Sequence, residues 1–200
     1  MKNLGILLSG RGSNFEAIAR NVAAGKIPAK IALVVSNREN APGLALARTM
    51  GLNARLIPSQ GKDRETYDRE VVAALQECQV DLVCLAGFMR LLSPAFVRAF
   101  PGRILNIHPA LLPAFPGLDA QKQALEGGVK FSGCTVHLVD EGVDTGPIVR
   151  QAVVPVLEND TVETLSARIL EEEHRIYSEA ICLMLEGRVR IEGRRVISNE

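Results

Sequence analysis

The chain has 200 residues, 47% hydrophobic and 23% charged, the ordinary balance of a soluble globular protein with one sizeable core. Lys plus Arg and Asp plus Glu both number 23, which removes the broad positive field of a dedicated nucleic-acid binder and points to small-molecule ligands. No apolar run approaches the ~20 residues that span a bilayer, and the opening MKNLGILLSGRGSN lacks a secretory signal, so a cytoplasmic protein without a membrane partner is expected.

Along the first half, apolar runs alternate with helical patterns: LGILLS, NFEAIARNVAAG, KIALVVS, GLALARTMG, ARLIP, RETYDREVVAALQEC and DLVCLAG. That rhythm predicts βαβ units and an α/β fold, a Rossmann-like, mostly parallel twisted sheet with helices on both faces. A further strand, ILNIH, precedes a proline-rich loop, the short helix DAQKQALEGG, and two β-rich runs, GCTVHLV and PIVRQAVVPV. A longer helix over 160–187 begins with Asp160 or Thr161 as N-cap, carries Glu163 in its first turn and ends at Gly187. The arginine-rich segment GRVRIEGRRV reads as a solvated hairpin. One domain is expected, without repeats or a flexible linker.

Four cysteines, Cys78, Cys84, Cys134 and Cys182, form no C-x-x-C pair and read as reduced core residues. The three histidines lack metal-ligand spacing, so no metal is expected.

Three places carry chemistry. In SGRGSNFEAI, Gly10 and Gly12 permit a tight turn, and Ser13 and Asn14 set side-chain donors beside the exposed amides of a helix N-terminus, where an anion is favoured. The same residues also describe a simple strand-to-helix turn. The dinucleotide fingerprint is absent: Phe15 replaces the third glycine, and the second strand ends in Ser36 and Asn37 rather than an acid. In ILNIH, Asn106 and His108 lie two apart, so they share a strand face while Leu105 and Ile107 take the other. Pro109, Pro113 and Pro116 then constrain the departing chain. The loop VDEGVDTGP offers Asp140, Glu141 and Asp144 among glycines, free to bend towards a neighbouring strand end. A pairing of Asp144 with His108 holds the imidazole as a cationic donor beside the neutral donor of Asn106, an oxyanion site. Strand-end polar residues and a turn-forming aspartate are the alternative. No G-x-S-x-G elbow or catalytic cysteine motif suggests a covalent intermediate, so direct attack of one substrate on another is the simpler chemistry.

Together, GRGSN, LAGFMRLLSPAF, NIHPALLPAFPG and VDEGVDTGP resemble, in order and spacing, the folate-dependent phosphoribosylglycinamide formyltransferases, or glycinamide ribonucleotide transformylases. The resemblance covers nearly the whole chain. It implies the formyltransferase fold and transfer of a formyl group from 10-formyltetrahydrofolate, as co-substrate, to the amine of glycinamide ribonucleotide. Asn106, His108 and Asp144 match the catalytic trio; Gly12, Ser13 and Asn14 match the phosphate site, and Glu173 the ribose site. Met89, Arg90 and Leu92 match a wall of the folate pocket, Asp140, Glu141, Gly142, Val143 and Asp144 the cover of the pterin, and Arg64, with Arg90, the partners of the glutamate tail. The implied halves are 1–100 for phosphate and 101–200 for folate and catalysis, in a monomer or homodimer.

Asp119 and Gln121 stand where some members carry histidines, so that helix start is given no catalytic part, and Leu170 weakens support for the phosphate site. Two other readings stand beside the transferase: a formyltetrahydrofolate deformylase, and a non-catalytic nucleotide-binding module using only the glycine turn. With the first strand starting near Asn3, the N-terminal regulatory domain of deformylases is not expected. Nor is the C-terminal nucleic-acid-binding domain of methionyl-tRNA formyltransferases, which are longer.

Overall fold

The computed structural model describes residues 1–198, and the chain forms two compact units, Met1–Asn106 and Ile107–Glu200. In the first unit, β1 (Lys2–Leu8), α1 (Ser13–Ala23), β2 (Ala29–Ser36), α2 (Pro42–Thr49), β3 (Ala54–Leu56), α3 (Arg64–Glu77), β4 (Leu82–Leu85) and α4 (Pro94–Ala99) lead to β5 (Ile104–His108), which crosses into the second. The strands run β3-β2-β1-β4-β5, and every neighbouring pair is parallel. Strands covered on both faces are apolar throughout: Leu4, Ile6, Leu7 and Leu8 of β1 are fully buried, as are Leu33, Val34 and Val35 of β2.

The α/β, mostly parallel class expected from the sequence is the class observed. One element was not expected. LLSPAF holds a short helix, α4, whose N-cap Ser93 accepts a hydrogen bond from the Phe96 amide and whose first position is Pro94. At six residues it is too short for a helical period to declare itself.

The second unit holds α5 (Ala120–Glu126), β6 (Phe131–Leu138), β7 (Ile148–Pro155), α6 (Val162–Leu185), β8 (Val189–Glu192) and β9 (Arg195–Ser198). Here β6 and β7 are antiparallel, as are β8 and β9, and β9 joins β7 in parallel at Ile148 and Arg195. The arginine-rich segment is thus an exposed hairpin, with Arg190 paired to Glu192 at 2.9 Å.

Helix α6 packs against β6 and β7 through Leu165, Ile169, Glu173, Ile176, Tyr177, Ala180 and Ile181, a stripe at three- and four-residue steps. Thr161 is its N-cap, in a capping box with Thr164. Asp160 does something else: it takes both terminal guanidinium nitrogens of Arg168 at 2.8 and 2.9 Å, the Leu157 amide and the Thr164 hydroxyl. Among the described residues no helix is long and apolar enough to cross a membrane.

Candidate active site

Strand β5 delivers the two residues that the alternation predicts on one face. Asn106 pairs in register with Leu85 of β4, and His108 closes the strand, 4% exposed. The chain then turns back on the imidazole. His108 Nε2 lies 2.8 Å from the carbonyl of Phe115, and because a carbonyl only accepts, that nitrogen carries the proton. Nδ1 faces Asp144 Oδ2 at 3.4 Å. Both ring nitrogens therefore face acceptors.

Asp144 lies in the loop between β6 and β7 with φ of 53°, a left-handed conformation that Asp tolerates better than most residues. The amide of Gly117 donates to its Oδ2 at 2.9 Å, and Oδ1 lies 3.5 Å from Nε2 of His137. Burial pushes the Asp144 carboxyl up, but hydrogen bonds from His137 and Gly117 and the nearby charges of His108 and His137 outweigh it. The carboxyl is held below the usual range. Within the same loop, Asp140 Oδ1 accepts from the Gly142 amide at 3.0 Å and the Thr145 hydroxyl at 2.7 Å, while Glu141, Gly142 and Val143 are exposed. Asp140 shapes the loop in which Asp144 sits.

Two residues of β6 escaped the sequence reading of the site. Thr135 and His137 share one face of the strand, an alternation visible in GCTVHLV, but nothing in the sequence says what that face meets. The Thr135 hydroxyl donates to the Ala110 carbonyl at 2.7 Å and accepts from the Leu112 amide at 3.0 Å. Gln151 Nε2 reaches both the Thr135 hydroxyl and the Leu112 carbonyl at 2.9 Å. These bonds anchor the proline loop directly after His108.

At the glycine turn, Gly12 is the N-cap of α1 with φ of 78° and gives no side-chain cap to the first turn, so the leading amides keep the polarity that favours an anion. Ser13 is partly exposed and Asn14 buried. The turn is seated on α2: the Gly43 amide donates to the Gly10 carbonyl at 3.1 Å, and a Cβ on Gly12 would stand 2.8 Å from the Gly43 Cα. The Ser9 hydroxyl donates to Asn37 Oδ1 at 2.6 Å and accepts from the Met89 amide at 2.8 Å.

Of the remaining predicted residues, Arg64 is exposed at the first position of α3, just after its cap Asp63. Met89 is 60% exposed and Leu92 partly so. The Arg90 guanidinium lies 4.7 Å over the centre of the buried Tyr67 ring, a cation–π seat that fixes its direction. Glu173 is buried on α6, although from sequence alone it reads as surface. Cys84 and Cys134 are buried as expected, whereas Cys78 and Cys182 are half-exposed.

Strand β5 thus carries Asn106 and His108, and the Asp144 carboxylate faces the imidazole. Residues 2–181 match the formyl transferase family, and the chain belongs to it. Among its relatives, phosphoribosylglycinamide formyltransferase of Escherichia coli is 44% identical over 190 residues, covering 94% of this chain and 90% of that protein. The trifunctional purine biosynthetic protein adenosine-3 of Drosophila melanogaster is 48% identical over 189 residues; the match covers 93% of this chain but only 14% of that protein's length. Glycinamide ribonucleotide transformylase 1 from Symbiobacterium toebii superposes with a TM-score of 0.98 at 55% identity, covering 100% of this chain and 95% of that one. A formyltetrahydrofolate deformylase from Pseudomonas syringae shares the fold with a TM-score of 0.93 but only 27% identity, and this chain covers 66% of it.

Proposed function

We propose that the protein transfers the formyl group of 10-formyltetrahydrofolate to the amine of glycinamide ribonucleotide, giving formylglycinamide ribonucleotide and tetrahydrofolate in de novo purine biosynthesis. The observation that carries this reading is His108, set between a carbonyl and the Asp144 carboxylate two residues after Asn106 on one strand. The amine attacks the formyl carbon and a carbon–nitrogen bond forms. The oxygen becomes an oxyanion, which takes hydrogen bonds from the Asn106 amide and from His108 Nε2 in place of the Phe115 carbonyl. The proton lost by the amine passes through water, assisted by Asp144, to N10 of the folate as the old carbon–nitrogen bond breaks.

The leading amides of α1, with Gly12, Ser13 and Asn14, hold the ribonucleotide phosphate, and Glu173 the ribose hydroxyls. Met89, Arg90 and Leu92 line the folate pocket, residues 140–144 cover the pterin, and Arg64 and Arg90 meet the glutamate tail bidentately. In this reading, residues 1–100 supply phosphate recognition together with Arg64, Met89, Arg90 and Leu92 of the folate site, and 101–200 the cover of the pterin, the ribose contact and catalysis. The substrates are small molecules, the enzyme works in the cytoplasm, and it is a monomer or a homodimer.

The test is to mix pure protein with 10-formyltetrahydrofolate, with and without glycinamide ribonucleotide. Consumption only in the presence of the amine, with formylated product, is the expected result. Consumption without it makes the protein a deformylase, and no consumption leaves a nucleotide-binding module.

A further inference from the structure

The Asp144 carboxylate is shared by two histidines, and only one of them belongs to the trio. On Oδ2 it meets the Gly117 amide and His108 Nδ1; on Oδ1 it meets His137 Nε2, 3.5 Å away. His137 is 2% exposed, and its Nδ1 donates to the carbonyl of Leu138 at 2.9 Å. That bond fixes the ring, so Nε2 points at the carboxylate as a consequence of where Nδ1 is held. The χ2 torsion of an aspartate is broad, and partners on both oxygens restrict it more than partners on one oxygen do.

We infer that His137 is a positioning residue for the reaction: from β6 it holds the second oxygen of Asp144, and so sets the angle at which the first oxygen meets His108. This rests on the reading of Asp144 and His108 given above and adds a fourth residue to that site. His137 does not touch the reacting atoms; it acts through Asp144. The geometry separates its two bonds along one side chain, because the nitrogen bonded to the Leu138 carbonyl is not the one facing Asp144.

Two amide side chains therefore divide the role. His137→Asn places an amide nitrogen near the Nδ1 position, keeping a donor for the Leu138 carbonyl and losing the reach to Asp144. His137→Gln extends an amide nitrogen to the Nε2 position, keeping a donor for Asp144. In both variants, kcat and KM for both substrates are measured, together with the ring-nitrogen NMR signals of His108. A small misplacement of a reacting group costs up to ~10²-fold, so His137→Asn is expected to lose roughly ten- to a hundredfold in kcat with both KM values unchanged and with altered His108 signals. His137→Gln is expected to keep near-normal turnover and normal His108 signals.

If His137→Asn keeps wild-type turnover, or if the two variants fall alike, the inference is overturned and His137 is a structural residue of β6. Asp144→Asn, measured alongside, separates the two levels. If it retains wild-type turnover, the reading of the trio has failed; if it loses turnover while both His137 variants keep theirs, only the positioning role of His137 has.

Discussion

His108 shows how much chemistry a single ring takes from its neighbours. One nitrogen lies on the Phe115 carbonyl and the other faces Asp144, and in the mechanism proposed above the formyl oxygen takes the place of that carbonyl. Loss of one oxyanion donor costs ~10²–10³ in turnover, so His108→Ala should fall at least that far while both KM values change little. If His108 and Asp144 act as one unit, as proposed, His108→Ala with Asp144→Asn should be scarcely slower than the slower single variant; steady-state kinetics of the three proteins check this. Arg90 makes a second prediction. Seated over Tyr67, its guanidinium has a defined direction, and Arg90→Gln and Arg64→Gln should each weaken folates bearing glutamate more than a folate without it. Equal losses for both ligands, by titration calorimetry, would count against tail recognition. The placement of Asn106 and His108 on one strand, and of Asp144 in a glycine-flanked loop, was legible because strand alternation and loop composition are local signals. Thr135 and His137 were not, because the alternation that put them on one face cannot say which loop and which carboxylate that face meets.

At the scale of elements, α1 and α6 each make a measurable claim through their first turns. The N-terminus of α1 has no side-chain cap, and in the proposed reading its first turn holds the phosphate, so replacing Ser13 and Asn14 together by alanine should chiefly raise KM for the ribonucleotide. An effect confined to folate affinity would place the phosphate elsewhere. For α6 the claim concerns acid. Arg168 holds the Asp160 carboxyl far below the usual range, with help from the Leu157 amide and the Thr164 hydroxyl. A carboxyl depressed in the folded state contributes stability that is present above its unfolded value, ~3.9, and lost as pH falls through its own lower value. Asp160→Ala should therefore melt below wild type at neutral pH, and the gap should narrow as pH drops below about 4. The sequence offered Asp160 and Thr161 as equal caps. Only the structure separates them, because the partner that claims Asp160 lies two turns along the helix at Arg168.

For the molecule as a whole, the βαβ rhythm made the fold class readable. Short apolar runs such as LGILL and ALVV, bounded by turn residues, read as buried strands, and helical runs separated them at regular intervals. What the rhythm did not convey was the change of habit in the second unit, where β6 and β7 are antiparallel. Each unit also carries one fully buried thiol, Cys84 on β4 and Cys134 on β6, and burial pushes the Cys134 thiol up to about 12. Under native conditions at neutral pH, alkylation followed by mass spectrometry should modify Cys78 and Cys182 first, with Cys84 and Cys134 reacting only when denaturant opens the fold. The seat of the glycine turn on α2 has a consequence for how this protein can diverge. Gly43 bonds to the turn through its backbone, and a Cβ there would crowd the Gly12 Cα, the Leu8 side chain and the Gly10 carbonyl at 3.0 to 3.1 Å. A lineage that drifted to alanine at this position would alter the shape of the glycine turn without changing any residue proposed to hold the phosphate. A change at Gly43 thus reaches the conformation of Gly10 and Gly12, some thirty residues earlier in the chain.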